Sequence, residues 1–343
     1  MNSRELVIRT LSFQHSGRIP RHKWILPWAE RHHAAWVKRL QREFPDDITT
    51  APAAYRLNTG EKGGKYQAGT YVDAWGCTFS NPEDGIMGLV KTPLIADWNE
   101  LSSFRAPDVL LDVDREKVNR FCRSQKKFVL SGTLIRPFER LQFIRTMEQA
   151  LMDLLEEPPE LLELLEKIHQ FYMKEAEAWA RTDIDALYLM DDWGTQHGLL
   201  VSPDVFRRFF LPMYRDYVEI ARQYGKWVFM HSDGFILDVI PDLIDAGVHA
   251  LNSQVFCMGV EELGEKFRGK ITFWGEVDRQ RILPYGSRKE VKEAVQAVMR
   301  YLYAQGGVIA QSEFGPGARP ENVYHVFETW SAIPPKKNVK PKK

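Results

Sequence analysis

Apolar runs of strand length alternate with longer segments of helical spacing over most of the chain. Each run is apolar nearly throughout, as expected for parallel strands that are buried on both faces. An earlier run at residues 21–28 has the same texture. The other predicted strands are FVLSG (128–132), ALYLMDD (186–192), WVFMHSD (227–233), VHALNSQ (248–254), ITFWGEVD (271–278) and GVIAQSEF (307–314).

Three segments between or after these runs have the end signals of helices. Residues 202–225 begin with a capping serine and a proline in the first turn, and end at Gly225. Residues 287–307 begin at Ser287 with Glu290 three residues on, the spacing of a capping box. The third helix covers residues 319–330. Alternation of strands and helices predicts a parallel sheet with right-handed crossovers.

Such a sheet either stays open and doubly wound or closes into a (β/α)8 barrel. The chain has no G-x-G-x-x-G turn and no G-x-x-x-x-G-K-[ST] loop, so the nucleotide-binding open sheet lacks its marker. Seven strands are visible, and the eighth is expected between residues 50 and 127. We predict an α/β fold, a TIM barrel over residues 1–333, with residues 50–110 as an insertion that covers the barrel mouth.

Composition limits the binding partners and the cellular location that the protein can be expected to have. Lys plus Arg and Asp plus Glu both number 46, a balance that gives no support to nucleic-acid or anionic-membrane binding. Three cysteines do not make a disulfide framework, and no apolar segment has the length of a membrane span. We expect a cytoplasmic protein. The Pro- and Lys-rich residues 334–343 are predicted to be a disordered tail.

Polar side chains follow five successive predicted strands. In a (β/α)8 barrel, the carboxyl ends of the strands form the mouth where chemistry takes place. Together these groups would form a ring around one mouth. They are Asp191, Asp192 and Gln196, then His231 and Asp233, then Asn252 and Gln254, then Glu276 and Asp278, and finally Gln311, Ser312 and Glu313.

A purely structural interpretation competes with this one. A carboxylate just after a strand is often a helix cap or a turn former, and Asp233 before Gly234 fits that role. For Asp192, Asp278 and Gln254 the two interpretations are equally good. For His231 function is favoured, because it ends an apolar run where substrates bind and its charge changes near neutral pH.

His231 and Asp233 also suggest a metal site. Residues two apart in a strand point to the same side, so both side chains can face the mouth. Zinc accepts imidazole nitrogen and carboxylate oxygen, and a catalytic zinc keeps one position open. A third ligand would come from another strand, and Glu313 or Glu276 is best placed. We predict His231, Asp233 and Glu313 as metal ligands, with a metal-free site as the alternative.

Several stretches carry a family resemblance. The chain resembles the uroporphyrinogen decarboxylase superfamily, in particular its cobalamin-dependent methyltransferase branch, and this resemblance implies a (β/α)8 barrel. The stretches are VDAWGCTFS (72–80), KTPLIADWNELSSFRAPD (91–108), YLMDDWGTQHGLLVSPDVFRRFFLPMYR (188–215), HSDGFILDVIPDLIDAGVHALN (231–252), WGEVDRQRILPYGSRKEVKEAV (274–295) and GARPENV (317–323).

The two branches imply different chemistry. The decarboxylases use no cofactor and bind a polycarboxylated porphyrinogen through an Arg-rich segment after the first strand, which here has only Arg31. Thiol-activating methyltransferases bind zinc through His-x-Cys and a later Cys, and here Asp233 and Glu313 stand at those places. Oxygen ligands leave a harder metal, suited to polarising an ether or hydroxyl oxygen.

The resemblance therefore implies a corrinoid-dependent methyltransferase. It would move a methyl group from a small O- or N-methylated donor to the corrinoid of a partner carrier protein, assisted by zinc. The donor would be oriented or protonated by Asp191, Glu276 and Asn252, and contacted by Trp75, Trp193, Gln196 and Trp274. The alternative for the tryptophans is lid or core packing, and core packing is the commoner fate of this residue type. Two alternatives stay open: a metal-free decarboxylase or lyase acting on a smaller acid, and a non-catalytic corrinoid- or tetrapyrrole-binding barrel.

Overall fold

Eight parallel strands form a barrel in the computed structural model, which describes residues 1–14 and 17–333. A separate antiparallel sheet of three strands, β3 to β5, lies within the insertion. In chain order the strands are β1 (Arg21–Ile25), β2 (Ile48–Thr50), β3 (Gly69–Val72), β4 (Thr78–Asn81), β5 (Leu89–Val90), β6 (Phe128–Leu130), β7 (Ala186–Met190), β8 (Trp227–Ser232), β9 (Ala250–Ser253), β10 (Thr272–Trp274) and β11 (Val308–Phe314).

The predicted barrel is confirmed. The strands neighbour one another in the order β1, β11, β10, β9, β8, β7, β6, β2. The ring closes where the backbone N–H of Asp47, just before β2, donates to the carbonyl of Arg21 at 2.8 Å. The eighth strand is β2, and only its last residue, Thr50, lies within the range 50–127 where that strand is expected. The three residues of β2 are too few to show a periodicity.

Helices surround the barrel. The capping signals that the sequence shows are made: Ser202 Oγ accepts from the N–H of Val205, and Ser287 with Glu290 forms a capping box. The helices are α1 (Ser3–Leu11), α2 (Pro27–His32), α3 (Ala34–Glu43), α4 (Arg115–Ser124), α5 (Pro137–Arg145), α6 (Met147–Glu156), α7 (Pro159–Ala180), α8 (Pro203–Val205), α9 (Leu211–Gln223), α10 (Ile240–Ala246), α11 (Val260–Phe267), α12 (Ile282–Tyr285), α13 (Arg288–Tyr301) and α14 (Pro320–Ala332), with 3-10 turns at Trp98–Ser102, Asp108–Leu111 and Leu237–Val239 and a π turn at Phe206–Phe210.

Two apolar cores result from this arrangement. One fills the barrel interior, where Phe229 and Trp274 pack edge to face with ring centroids 5.0 Å apart. Val7 and Leu11 of α1 belong to the same cluster. The larger core lies between the strands and the outer helices, which is why the strands are apolar on both faces. No helix in the described ranges is long and apolar enough to cross a membrane.

The insertion, residues 50–110, packs against α5 and α7. Asp73 accepts from Arg140 of α5 at 2.6 Å, and Trp75 packs edge to face on Phe171 of α7. Arg145 of α5 donates to the carbonyls of the insertion's Ile95 and Ala96 at 2.6 and 3.1 Å. These polar anchors hold the insertion at the carboxyl end of β6. Residues 334–343 lie outside the described residues, so the predicted tail stays a prediction.

Candidate active site

His231 lies at the carboxyl end of β8 and is 4 % exposed. Its Nδ1 is 2.6 Å from Oδ1 of Asn252 on the neighbouring strand β9, its register partner. On the other side, Trp24 of β1 packs edge to face with the imidazole at a centroid distance of 4.9 Å. An amide and an indole thus fix the ring, and only Nε2 is directed toward the remaining polar groups of the mouth.

Two carboxylates face that nitrogen. Nε2 of His231 lies 3.4 Å from Oδ1 of Asp192 and 3.6 Å from Oδ1 of Asp233. Burial alone would lower the pKa of His231, but the hydrogen bond to Asp192 and the charge of Asp233 raise it to about 9. Without a metal, the imidazole is therefore protonated at neutral pH.

The loops after β7 and β8 bring these carboxylates together. The N–H of Gly194 donates to the carbonyl of Asp233 at 3.0 Å, and the N–H of Asp233 donates to Oδ1 of Asp192 at 2.9 Å. A Cβ on Gly234, whose φ is +84°, would lie 2.2 Å from the backbone of Gly194. Glycine is required at this crossing, so the turn interpretation of Gly234 and the site interpretation of Asp233 are compatible.

A second group of acidic side chains surrounds Arg279, in the loop after β10. Its Nη2 donates to Oδ2 of Asp233 at 2.5 Å, its Nε lies 3.2 Å from Glu276, and its Nη1 lies 3.1 Å from Glu313. Burial raises the pKa of Glu276 to about 8, although Arg279 lowers it. Glu313, the predicted third metal ligand, is thus an ion-pair partner of Arg279, and Asp192 stands beside His231 and Asp233 instead.

Asp191 is fully buried and does not face the mouth. Its carboxylate accepts from the backbone N–H groups of Phe138 and Glu139 at 3.2 and 2.7 Å, and from Tyr214 Oη at 2.5 Å. Burial raises the pKa of Asp191 well above its usual range. The contacts are those of a cap for the first turn of α5, supplied from a strand end, and they account for the side chain without a role in catalysis.

The predicted substrate-binding residues lie in three different environments. Trp193 is 0 % exposed and stacks on Phe138 with centroids 4.0 Å apart, so no face of the indole is left for a substrate. Trp274 is also 0 % exposed and lies within the barrel, behind Trp24. Gln196 is exposed and donates to Gln254 at 2.7 Å. Both tryptophans take the core-packing alternative.

Trp75, the fourth, lines a cavity of about 210 Å³ between the insertion and the barrel. Arg140 lies over its ring at 4.5 Å and is paired with Asp73. Arg136 and the buried Glu175 line the same cavity. Burial raises the pKa of Glu175 to about 7, against the hydrogen bond from Thr133 and the charges of the two arginines.

The residues present fit a metal ion. One ligand atom from each of Asp192, His231 and Asp233 can be chosen so that all lie within 4.8 Å of one another. Oδ1 of Asp233 is buried and makes no hydrogen bond to any described residue, which is costly unless something binds it. One imidazole and two carboxylates form an acceptable zinc ligand set with an open position.

Sequence reasoning missed Arg279 and did not choose Asp192. Arg279 is the only basic residue in the loop stretch GEVDRQ, and that stretch follows a strand among several that end in acids. Arg279, with Arg281 two residues on, places positive charge beside many predicted carboxylates, and this was an available signal. Asp192 could have been preferred over Glu313 only with the strand order, because β7 and β8 are neighbours.

The fold and the strand-end cluster define a (β/α)8 barrel with a charged site at its mouth. The chain belongs to the uroporphyrinogen decarboxylase (URO-D) family, whose model matches residues 69–333. A search of curated proteins gave no match.

One solved structure is similar in fold, and a second aligns with a lower score from which nothing is concluded. A methyltransferase from Methanosarcina mazei superposes with a TM-score of 0.70 at 14 % identity, covering 97 % of this chain and 99 % of that one. The complex structure of a GH113 beta-1,4-mannanase gives a TM-score of 0.40 at 10 % identity, covering 92 % of this chain and 100 % of that one. At 14 % identity the likeness to the methyltransferase concerns the fold.

Proposed function

We propose that this protein is a methyltransferase. It removes a methyl group from a small O- or N-methylated donor and passes it to the corrinoid of a partner carrier protein, with a metal ion at Asp192, His231 and Asp233. The proposal rests on one observation, the convergence of these three ligand atoms with Oδ1 of Asp233 left without a hydrogen bond. Family membership and the methyltransferase-like fold agree with it.

Several residues of the chain have separate roles in the proposed reaction. Asn252 orients the imidazole of His231, and Arg279 orients Asp233 through its other oxygen. When bound, zinc supplies a Lewis acid that polarises the oxygen or nitrogen carrying the methyl group. Burial raises the pKa of Glu276 to about 8 against the charge of Arg279, so both of its forms are populated near neutral pH: the ionised form pairs with Arg279, and the protonated form can neutralise the leaving oxygen or nitrogen.

The cavity beneath the insertion is the donor site in this proposal. Trp75, Tyr172 and Phe143 give it an aromatic lining suited to a small organic body. Arg136 lines the cavity and lies 3.4 Å from Glu139, and burial raises the pKa of Glu139 to about 6 although the charge of Arg136 lowers it. None of the three metal ligands lines the cavity, so in this proposal the methylated end of the donor extends past Arg136 and Glu139 to reach them.

A polycarboxylated substrate does not suit this mouth. Arg279 faces three acidic side chains, and Arg140 is paired with Asp73. Binding many carboxylates would require these arginines to exchange buried partners, which is costly. One smaller acid is different, because Lys65, Arg136 and Arg140 all line the cavity. A metal-free carboxy-lyase acting on a small acid is therefore the second candidate.

Metal analysis and a methyl-transfer assay test the proposal together. We expect about one zinc ion per chain in the wild type, and none in His231→Ala or Asp192→Ala. Glu313→Gln is the matched control and should keep its zinc, since Glu313 contacts Arg279. Methyl transfer from a panel of methyl ethers and methylamines to free cob(I)alamin is followed by absorbance.

Two outcomes would overturn the proposal. Wild-type protein that binds no zinc after zinc-replete expression would remove the metal-assisted step. Release of CO₂ from a small acid, without any corrinoid, would favour the carboxy-lyase.

A further inference from the structure

Arg279 occupies a pocket of oxygen atoms contributed by three strand ends. Asp233 follows β8, Glu276 follows β10, and Glu313 lies in β11. Each acidic side chain contacts a different nitrogen of the guanidinium: Nη2, Nε and Nη1 respectively. The side chain of Arg279 is 19 % exposed and that of Glu276 is 5 % exposed, so this group lies largely out of water.

Such a pocket has the composition of a site for a hard cation. Calcium, magnesium and manganese prefer carboxylate oxygens, and their affinity rises with the number of carboxylates. In this protein the guanidinium of Arg279 occupies the position among the three acidic side chains where such an ion would bind most favourably. The planar guanidinium donates to three partners at once. The ammonium of a lysine is a single point charge and cannot contact the three partners in the same geometry.

We propose that Arg279 is a built-in counter-ion that excludes hard divalent cations from the oxygen-rich half of the mouth and confines metal binding to the half that contains His231. Its contact with Oδ2 of Asp233 also leaves Oδ1 of that residue directed toward His231. Arg279 is therefore a specificity-determining and positioning residue. The statement that metal binding is confined to the half that contains His231 rests on the proposed function, whereas the exclusion of hard cations does not.

The position of Asp233 makes the two halves interdependent. Within residues 1–14 and 17–333, it is the one acidic side chain that contacts both Arg279 and His231. When Arg279 is removed, Asp233 is free to turn both oxygens toward a cation shared with Glu276 and Glu313. Loss of the guanidinium should therefore create hard-cation binding and weaken binding at the histidine-containing half.

Arg279→Ala tests the exclusion directly. Ca²⁺ is titrated into the metal-free protein by calorimetry, Mn²⁺ binding is followed by electron paramagnetic resonance, and the melting temperature is measured with and without Ca²⁺. We expect Ca²⁺ affinity to rise at least about tenfold over the wild type. Ca²⁺ should raise the melting temperature of the variant only, because it binds the folded state. Equal responses in wild type and variant would overturn the proposal.

Arg281→Ala is the matched control. It removes an exposed arginine two residues further along the same loop, and it should leave Ca²⁺ binding at the wild-type level. A Ca²⁺ response equal to that of Arg279→Ala would contradict the proposal, because general loss of positive charge would then explain the gain.

The unpaired acidic side chains in Arg279→Ala could prevent folding. Folding that is restored by Ca²⁺ supports the proposal. If the variant stays unfolded with Ca²⁺, Arg279→Ala combined with Glu313→Gln decides, because it has one acidic group fewer. A Ca²⁺-dependent rise in its melting temperature supports the proposal, and no rise overturns it. These readouts are independent of zinc, so they stand whether or not His231→Ala changes the zinc content.

Discussion

Nδ1 of His231 shares a hydrogen bond of 2.6 Å with Oδ1 of Asn252, and this contact decides which imidazole nitrogen can bind a metal. The amide NH₂ of Asn252 donates to the backbone carbonyl of Trp274. Since that carbonyl can only accept, the amide oxygen must face His231. Nδ1 therefore carries a proton, and Nε2 is the nitrogen available to a metal.

Asn252→Ala should accordingly weaken zinc binding. Without the amide oxygen the imidazole loses its fixed tautomer and orientation, and loss of such a supporting hydrogen bond costs about 10- to 100-fold in metal affinity. Competition titration with a chelator measures the change. Gln254→Ala, two residues further along, is the control and should leave the affinity unchanged. If Asn252→Ala raises KM for the donor at constant zinc affinity, the predicted substrate-orienting role is the right one.

Asp191 should prove structural. Asp191→Ala leaves two buried backbone donors and the hydroxyl of Tyr214 without an acceptor, and each unsatisfied group costs about 1–3 kcal/mol. Tyr214→Phe removes one of the three donors to Asp191 and leaves the buried indole N–H of Trp193 without its acceptor, so it should cost less than Asp191→Ala. Urea denaturation gives both values. A stably folded Asp191→Ala variant that has lost all activity would instead support the catalytic role predicted from sequence.

Much of the barrel could be predicted because its strands are buried on both faces. The run of β8 is apolar up to His231, so the burial of both faces is visible in the sequence. The three residues of β2 have no comparable pattern, and their place in the ring depends on the partners Arg21–Ile25 and Phe128–Leu130 on either side. That dependence belongs to the closed barrel and not to local sequence.

The candidate site could be predicted only where its residues lie at the end of the same strand. His231 and Asp233 lie two apart, and strand geometry brings both to the mouth. Asp192 joins them through strand neighbours, and Arg279 through a loop that turns back over the mouth. Trp193 follows a strand as the others do, yet its ring packs on Phe138 of α5. The direction of the loop after the strand decides whether such a side chain faces the mouth or packs on a helix. The apolar pattern of the strand does not encode that direction.

Glu175 should make stability fall as the pH rises toward neutrality. Burial raises its pKa from 4.5 to about 7, so the folded state binds this proton more tightly than the unfolded chain. The contribution of Glu175 to the free energy of unfolding is full at low pH and declines between about pH 4.5 and pH 7. Glu175→Gln should remove this decline. The difference in free energy of unfolding between the variant and the wild type should therefore shift in favour of the variant by on the order of 2 kcal/mol when the pH is raised from 5 to 8. Urea denaturation at both pH values measures it, and a constant difference would contradict the assignment.

The ion pair between Arg145 of α5 and Asp153 of α6 should be one of the costliest to break, because Arg145 also anchors the insertion. Arg145 donates to Asp153 through two nitrogens at 2.7 and 3.2 Å, and both side chains are almost fully buried. Arg145→Met leaves Asp153 buried without its cation and removes two hydrogen bonds to the insertion. We expect a loss of about 3–5 kcal/mol in the free energy of unfolding.

Arg123→Ala provides the matched comparison, because Arg123 pairs with Asp183 at 3.4 Å on the exposed surface. An exposed pair contributes less than about 1 kcal/mol, so this variant should resemble the wild type in urea denaturation. Limited proteolysis adds a local readout: Arg145→Met should be cut faster within residues 50–110, since the carbonyls of Ile95 and Ala96 lose their donor. Equal cleavage rates in the two variants would mean that other contacts hold the insertion on the barrel.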